Sequence, residues 1–313
     1  TIALGSGDDS LAFDATSNIT TAIGNSGSIS GGAGTDTLVF HTEVAFNSTD
    51  AAIVAKATGF EALEIAEEIA SGTAADVFEL TASAFAIDDF VFSGSHAGDD
   101  GVTAASATGA TDGRAAVTVT GVENDDTFKF GGNYEGGLGA SSDGSTAAVD
   151  EANGAAAVTF AASVDGSDNV LNLTLAASST VKTDAVTLTG AAGVDSDTAA
   201  NEVGKDAVVA TEFETVNLAS TGVNVSSSFA NANTLVGGAT GGGGAGSSIT
   251  LGTNATLVIT GNKHLDLTDG VGGTNVKIDA TDFTGALSVL ANSGANTIIG
   301  GSGNDILDGA GGT

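Results

Sequence analysis

The sequence predicts an all-β fold, a parallel β-solenoid (β-helix) with variable turns and insertions, and three observations lead there. Apolar and polar residues alternate at period two in run after run: Val117-Thr118-Val119-Thr120, Val170-Leu171-Asn172-Leu173-Thr174-Leu175, Val186-Thr187-Leu188, Leu257-Val258-Ile259 and Val276-Lys277-Ile278. That is the pattern of strands with one buried face. Clusters of Gly, Asn, Asp and Ser separate the runs, which is turn punctuation. The 313 residues are 41% hydrophobic but only 5% aromatic, so Ala, Val, Leu, Ile and a few Phe must fill the interior, which suits narrow stacked coils. Short strands with frequent turns also fit tandem antiparallel β-sandwich domains, the alternative architecture.

Along the chain the punctuation sets the organisation. A short helix is expected over Asp50–Thr58, with Asp50 as its cap and Gly59 as its stop. The segments 140–157 and 198–212 are ambiguous in pattern. The run Gly237 to Gly246 is nearly all small residues and marks a loop or linker over 237–247, between a solenoid lobe at 1–236 and a second lobe at 248–313. A second glycine-rich stretch, from Gly131 to Gly139, marks a further loop.

Charge and composition exclude several functions. There are 39 acidic residues against 7 basic ones, a net charge of −32. Nucleic acid is excluded as a partner, since each phosphate contact needs a cation. Cys, Pro, Met and Trp are all absent, which rules out disulfides, thiolate metal sites and cysteine nucleophiles. The missing start methionine predicts a processed chain or a fragment. Apolar runs are only a few residues long, so no transmembrane segment is expected. Acidic groups at this density repel one another and oppose compaction. They are either a solvated surface that keeps a secreted or salt-adapted protein soluble, or a set partly occupied by cations.

A repeat favours cations. Gly31-Gly32-Ala33-Gly34-Thr35-Asp36-Thr37-Leu38-Val39 fits every fixed position of the nonapeptide Gly-Gly-x-Gly-x-Asp-x-U-x, where U is a large apolar residue, and so does Gly300-Gly301-Ser302-Gly303-Asn304-Asp305-Ile306-Leu307-Asp308. A partial copy near the start keeps Gly5, Gly7, Asp9 and Leu11, with Leu4 in place of the first glycine. Residues 291–299 keep Gly294 and Ile298, with Asn296 in place of Asp, and a further copy begins at Gly309. The glycines permit a tight turn at positive φ, the aspartate supplies a hard carboxylate oxygen, and the x-U-x tail is a short strand facing a narrow core. Calcium takes six to eight such oxygens, more than one turn can offer, so two turns must stack. This makes Gly5, Gly7, Asp9, Gly32, Gly34, Asp36, Gly301, Gly303 and Asp305 the candidate metal-site residues and Ca2+ the candidate cofactor.

On these residues the chain resembles the calcium-binding RTX (repeats-in-toxin) proteins of Gram-negative bacteria. A softer repeat extends the likeness. Gly59-Phe60-Glu61-Ala62-Leu63-Glu64-Ile65 is similar to Glu212-Phe213-Glu214-Thr215-Val216-Asn217-Leu218, and Thr81-Ala82-Ser83-Ala84-Phe85 to Asp279-Ala280-Thr281-Asp282-Phe283. Such phrases resemble the β-rich portions of RTX-type bacterial surface-layer (S-layer) proteins. The resemblance implies a secreted, extracellular, self-assembling structural protein of the cell surface, exported by a type I system. Its implied partners are further copies of itself in a lattice or filament, calcium, and cell-surface polysaccharide. A calcium-rigidified module of an RTX adhesin is the alternative.

Other candidates are weaker. The acidic pairs Asp8-Asp9, Asp88-Asp89, Asp99-Asp100 and Asp125-Asp126 are explained by turn propensity as readily as by calcium. Asp100 and Asp126 stand out, because Gly98-Asp99-Asp100 and Asn124-Asp125-Asp126-Thr127-Phe128 echo part of the nonapeptide. His41, His96 and His264 are isolated, without zinc-site spacing. No Gly-x-Ser-x-Gly elbow supports a serine hydrolase. A β-helix polysaccharide-degrading enzyme is the distant alternative: its acids could do proton transfer, but aromatic sugar platforms are missing apart from Tyr134. The chain is therefore read as a non-enzyme.

Overall fold

The computed structural model describes residues 1–41, 45–46, 48–66, 77–94, 116–135, 156–164, 168–181, 184–190, 205–225, 228–238 and 245–311. Every strand pairing among them is parallel, so the fold is an all-β parallel solenoid. A hairpin can join antiparallel strands, but parallel neighbours require the chain to travel around before it returns. Here that journey is one rung of the coil. No helix among the described residues is long and apolar enough to cross a membrane.

The longest continuous ladder is a ten-stranded sheet: Ser10–Phe13, Thr37–Phe40, Ala62–Ile65, Asp89–Phe92, Thr127–Phe130, Val170–Ala176, Thr215–Thr221, Thr256–Gly261, Lys277–Asp279 and Thr297–Ile299. A twelve-stranded sheet has two arms. One runs from Ala45–Phe46 to Ile249–Leu251, the other from Tyr134–Glu135 through Thr187–Thr189 to Asn233–Val236. They converge on the single long strand Leu265–Gly272, whose start pairs with one arm and whose end pairs with the other. A three-stranded sheet, Ile2–Ser6, Ile29–Ala33 and Ala57–Thr58, completes the first rungs. Rung length varies widely. Leu218 stacks on Leu173 after 45 residues, whereas Ile298 stacks on Ile278 after 20. Both sheets continue across 237–247: the strand Thr215–Thr221 pairs directly with Thr256–Gly261, and Val208–Ala210 with Ile249–Leu251.

The expected strands form, each within a residue or two of its alternating run. The expected helix forms too, but shifted toward the N-terminus and shorter at its end. Ser48–Val54 is helical, and Ala57–Thr58 is already a strand of the next rung. Asp50 lies in the first turn, and its Oδ1 accepts a hydrogen bond from Thr16 Oγ1 at 2.9 Å. Thr16 opens a second helix, Thr16–Ile23, which the sequence pattern did not suggest and which packs on the first.

Strict register stacks the interior into columns. One inward column of the ten-stranded sheet runs Leu11, Leu38, Leu63, Phe90, Phe128, Leu173, Leu218, Ile259; a second runs Phe13, Phe40, Ile65, Phe92, Phe130, Leu175. Ladder spacing is ~4.8 Å, and like rings on adjacent rungs stack at about that distance. Phe92 and Phe130 have centroids 4.7 Å apart at 4°, and Phe90 and Phe128 lie 5.3 Å apart at 10°. Tyr134 stands edge-on to both Phe92 and Phe130. This is how 14 Phe residues serve a chain without Trp.

The second column turns polar above Leu175, where Ser220 and then Gly261 continue it. The space is taken by Asn233, fully buried, whose Nδ2 donates to Leu175 O (2.9 Å) and Ser220 Oγ (3.0 Å) and whose Oδ1 accepts from Val186 N (3.0 Å). Beside it Lys263 is also fully buried, its Nζ donating to the carbonyls of Asp184 and Val223 at 2.8 Å each. Burial pushes the Lys263 ammonium pKa down, partly offset by the nearby Asp184 carboxylate. Truncating one member of such a network strands the others. Asn233→Ala is therefore expected to lower unfolding free energy by on the order of 3 kcal/mol in chemical denaturation. Asn217→Ala, an outward amide with a single partner on Asn172, should cost under ~1 kcal/mol.

Candidate functional site

At each corner of the solenoid the chain leaves one sheet and enters the next, and backbone N–H groups there fall out of the ladder. The nonapeptide aspartates answer this need. Asp36 is fully buried at the entry to Thr37–Phe40, and its Oδ1 accepts the backbone N–H of Asp9 on the preceding rung at 2.8 Å. Asp305 Oδ1 accepts the N–H of Leu287 on its preceding rung at 2.9 Å. Asn296, in the aspartate position of the degenerate copy, accepts the N–H of Val276 at 3.0 Å. Three copies of the repeat thus make the same cross-rung bond.

The glycines have a matching geometric cause. The turns of the first two rungs align Gly5 with Gly32. Gly5, Gly7, Gly32 and Gly34 all have positive φ, from 117° to 145°. A Cβ on Gly32 would lie 1.9 Å from Gly5 O, and one on Gly34 would lie 2.1 Å from Gly7 O. At the other end, a Cβ on Gly301 would meet Phe283 O at 2.3 Å and one on Gly303 would meet Gly285 O at 2.1 Å. In both complete copies, then, the second and third glycines sit against carbonyls of the preceding rung. The first glycine clears space for the motif's own carboxylate: a Cβ on Gly31 or Gly300 would come 2.5 or 2.7 Å from Oδ2 of Asp36 or Asp305.

The two ends differ in one respect. Asp305 Oδ2 accepts the N–H of Gly301 at 2.8 Å, so both its oxygens have protein donors. Asp36 Oδ2 is buried and accepts no hydrogen bond, and the same holds for Asp9 Oδ2 on the rung before. Asp8 accepts the N–H of Thr35 at 2.9 Å, tying these rungs in the opposite sense. Two orphaned buried carboxylate oxygens beside turn carbonyls form a donor set of the kind a hard cation takes. Among the described residues no three His, Cys, Asp or Glu side chains converge, so an ion here would draw on backbone carbonyls as well.

Sequence reasoning missed two further members of the corner system, Glu61 and Glu214. Glu61 Oε2 accepts the N–H of Asp36 at 2.7 Å, and Glu214 Oε2 accepts that of Asn169 at 2.8 Å. Each follows a buried phenylalanine, Phe60 or Phe213. The signal was there: the repeated Phe-Glu phrase pairs a core anchor with a corner cap. The other soft repeat is a shared turn, in which the N–H of Phe85 or Phe283 bonds the carbonyl three residues earlier, Ala82 or Ala280, at 2.9 Å.

The remaining candidates separate. Asp100 lies outside the described residues, as does His96. Asp126 is buried at the entry to Thr127–Phe130, but its Oδ2 turns back to the N–H of Glu123 at 2.8 Å instead of reaching another rung. Burial, with Asp88, Asp125 and Glu123 nearby, pushes its pKa up to about 6 from 3.8. His264 Nδ1 accepts the N–H of Ala286 at 2.8 Å, another corner cap.

No protein-family model matches the chain, and no curated protein or solved structure shows significant similarity to it.

Two predictions follow from this geometry. Gly5→Ala, at an open position, bears only the cost of positive φ, about 1–3 kcal/mol. Gly32→Ala has the same φ and adds the collision with Gly5 O, so denaturation should show a clearly larger loss. The raised pKa of Asp126 means that its ionised form disfavours folding. That penalty is present above about pH 6 and is relieved as pH falls toward 4. Asp126→Asn should stabilise the protein by on the order of 2 kcal/mol at pH 8, with the gain vanishing by about pH 4 in thermal melts.

Proposed function

We propose that this chain is a calcium-dependent structural protein of the cell surface, a self-assembling S-layer or filament component of RTX type, with no catalytic role. The observation that carries the reading is Asp36: a fully buried carboxylate with one oxygen spent on the neighbouring rung and the other unpartnered, set among glycine turns in register with a second orphaned carboxylate oxygen on Asp9. An unpaired buried charge is costly, and a bound divalent cation offsets it. The residues that would hold the ion are Asp9 and Asp36, with carbonyls from the turns around Gly5–Gly7 and Gly31–Gly34. Calcium would supply fixed positive charge there, drawing adjacent rungs together. The corner acids Asp8, Glu61, Glu212 and Glu214 add negative charge along the coil, which cations also relieve.

Assembly follows the same electrostatics. Subunits carrying −32 charges each repel at every contact of a symmetric array unless cations bridge them. Sodium screens this repulsion but does not coordinate carboxylates across a gap.

Chelation should cost the β signal in circular dichroism and lower the melting temperature, because an ion bound to the native state stabilises it by mass action. Asp36→Ala should lower calcium uptake in calorimetry more than Asp305→Ala, whose oxygens both have protein donors, or Asp143→Ala, which lies in a Gly/Ser stretch without the motif. Electron microscopy should show sheets or filaments at about millimolar calcium, and none in NaCl of matched ionic strength. Spectra and melting indifferent to chelator contradict the calcium reading. Monomeric rods in every condition move the assignment to an adhesin module.

A further inference from the structure

The ten-stranded sheet presents an outward face that carries few charges. Alternation along each strand sends every second side chain out. Among these outward positions the charged residues are Glu64, Asp89 and Asp279 against Lys129 and Lys277. Three acids against two bases leave a net charge of −1 on a face that spans the solenoid, in a chain of −32. Four of these five charges are engaged locally: Lys277 pairs with Asp279 at 2.8 Å, Thr127 donates to Asp89, and Ser93 donates to Glu64. The strands Val170–Ala176, Thr215–Thr221 and Thr256–Gly261 carry no outward charge at all. A cross-strand amide bond, Asn217 Nδ2 to Asn172 Oδ1 at 2.8 Å, ties part of this uncharged surface together.

We propose that this face is where the protein meets a second copy of itself, in a face-to-face contact that rests on the self-assembly reading above. Three arguments select that occupant. First, two molecules of −32 can approach closely only through surfaces that do not repel, and this face is nearly balanced. Secondly, its size suffices. Ten strands of three to seven residues, ~4.8 Å apart with ~3.3 Å per residue, give roughly 700 Å² in total, close to the ~800 Å² that each partner gives to a stable interface. Thirdly, the charge order is self-compatible. A two-fold axis along the strands, between Thr127–Phe130 and Val170–Ala176, overlays the whole face on itself with the order reversed. Ala62–Ile65 then faces the partner's Thr256–Gly261, Asp89–Phe92 faces Thr215–Thr221, Thr127–Phe130 faces Val170–Ala176, and Lys277–Asp279 faces Thr37–Phe40. Each strand with an outward charge meets one without.

The test is self-association of the full chain in calcium, followed by sedimentation velocity and electron microscopy. Asn217→Glu places an acid on the outward side of Thr215–Thr221, at the register level of Asp89 and so opposite the partner's Asp89. Thr159→Glu adds the same charge on the outward side of Val158–Ala162 in the other sheet. Circular dichroism checks that both fold. Like charges facing across an interface are strongly unfavourable, so Asn217→Glu should raise the dissociation constant at least ~30-fold, and Thr159→Glu should change it less than ~3-fold. Wild-type assembly with equal effects of the two variants overturns this face and leaves the self-assembly reading standing. Wild-type protein that stays monomeric overturns both. Monomers that bind isolated cell-surface polysaccharide and lose it with Asn217→Glu make a glycan the occupant and overturn the second copy.

Discussion

A parallel solenoid must turn a corner on every side of every rung, and at each corner a backbone N–H loses the carbonyl that a straight ladder would provide. Buried and unpaired, such a group costs about 1–3 kcal/mol. Here side chains from the adjacent rung take the place of the missing carbonyl: Asp36 for Asp9, Glu61 for Asp36, Glu214 for Asn169, Asn296 for Val276, Asp305 for Leu287. These bonds pin one rung to the next where the sheets themselves do not. Columns such as Leu38 under Leu63 and Phe92 under Phe130 depend on the register so fixed, since a one-residue slip would turn every apolar side chain outward.

The device has a cost that explains its chemistry. Carboxylates accept strongly, but rungs stack at ~4.8 Å. Two like charges at that separation repel by about 1 kcal/mol in water and about 3–4 kcal/mol at an effective dielectric of 20. A charge-assisted hydrogen bond contributes about 1.5–3 kcal/mol. Gain and repulsion are therefore near balance where acids accumulate at a corner. Where Asn serves instead, as at Asn296, the repulsion is absent. At Asp9 and Asp36 both acids remain, with an orphaned oxygen each.

Much of this was legible in the sequence. Alternating runs gave strand positions, and the nonapeptide marked the rungs whose glycines and aspartate share one geometry at both ends of the chain. What was not legible involves contacts between rungs of unequal length. Asp126, which turns back on Glu123, shares its Asp-Thr-apolar tail with Asp36, which reaches Asp9, so that tail alone does not foretell the cross-rung bond. The merging of two sheet arms in Leu265–Gly272 depends on a corner being lost, and Gly270 within it reads like any turn glycine. Helix Thr16–Ile23 has no strong cap, and its stability comes from packing on Ser48–Val54. Asn233 and Lys263 look like ordinary surface polar residues; only the replacement of Leu175 by Ser220 and Gly261 along a column makes room for them inside.

The central claim, that corner side chains carry the cross-rung register, is most directly tested by amide hydrogen exchange resolved to single residues. The N–H groups of Asp9, Asp36 and Leu287 should be protected to the same degree as ladder amides such as that of Leu38, and Asp36→Ala should release Asp9 without releasing Leu287. Exchange of all three corner amides at the rate of open turns in the wild-type protein would contradict the account.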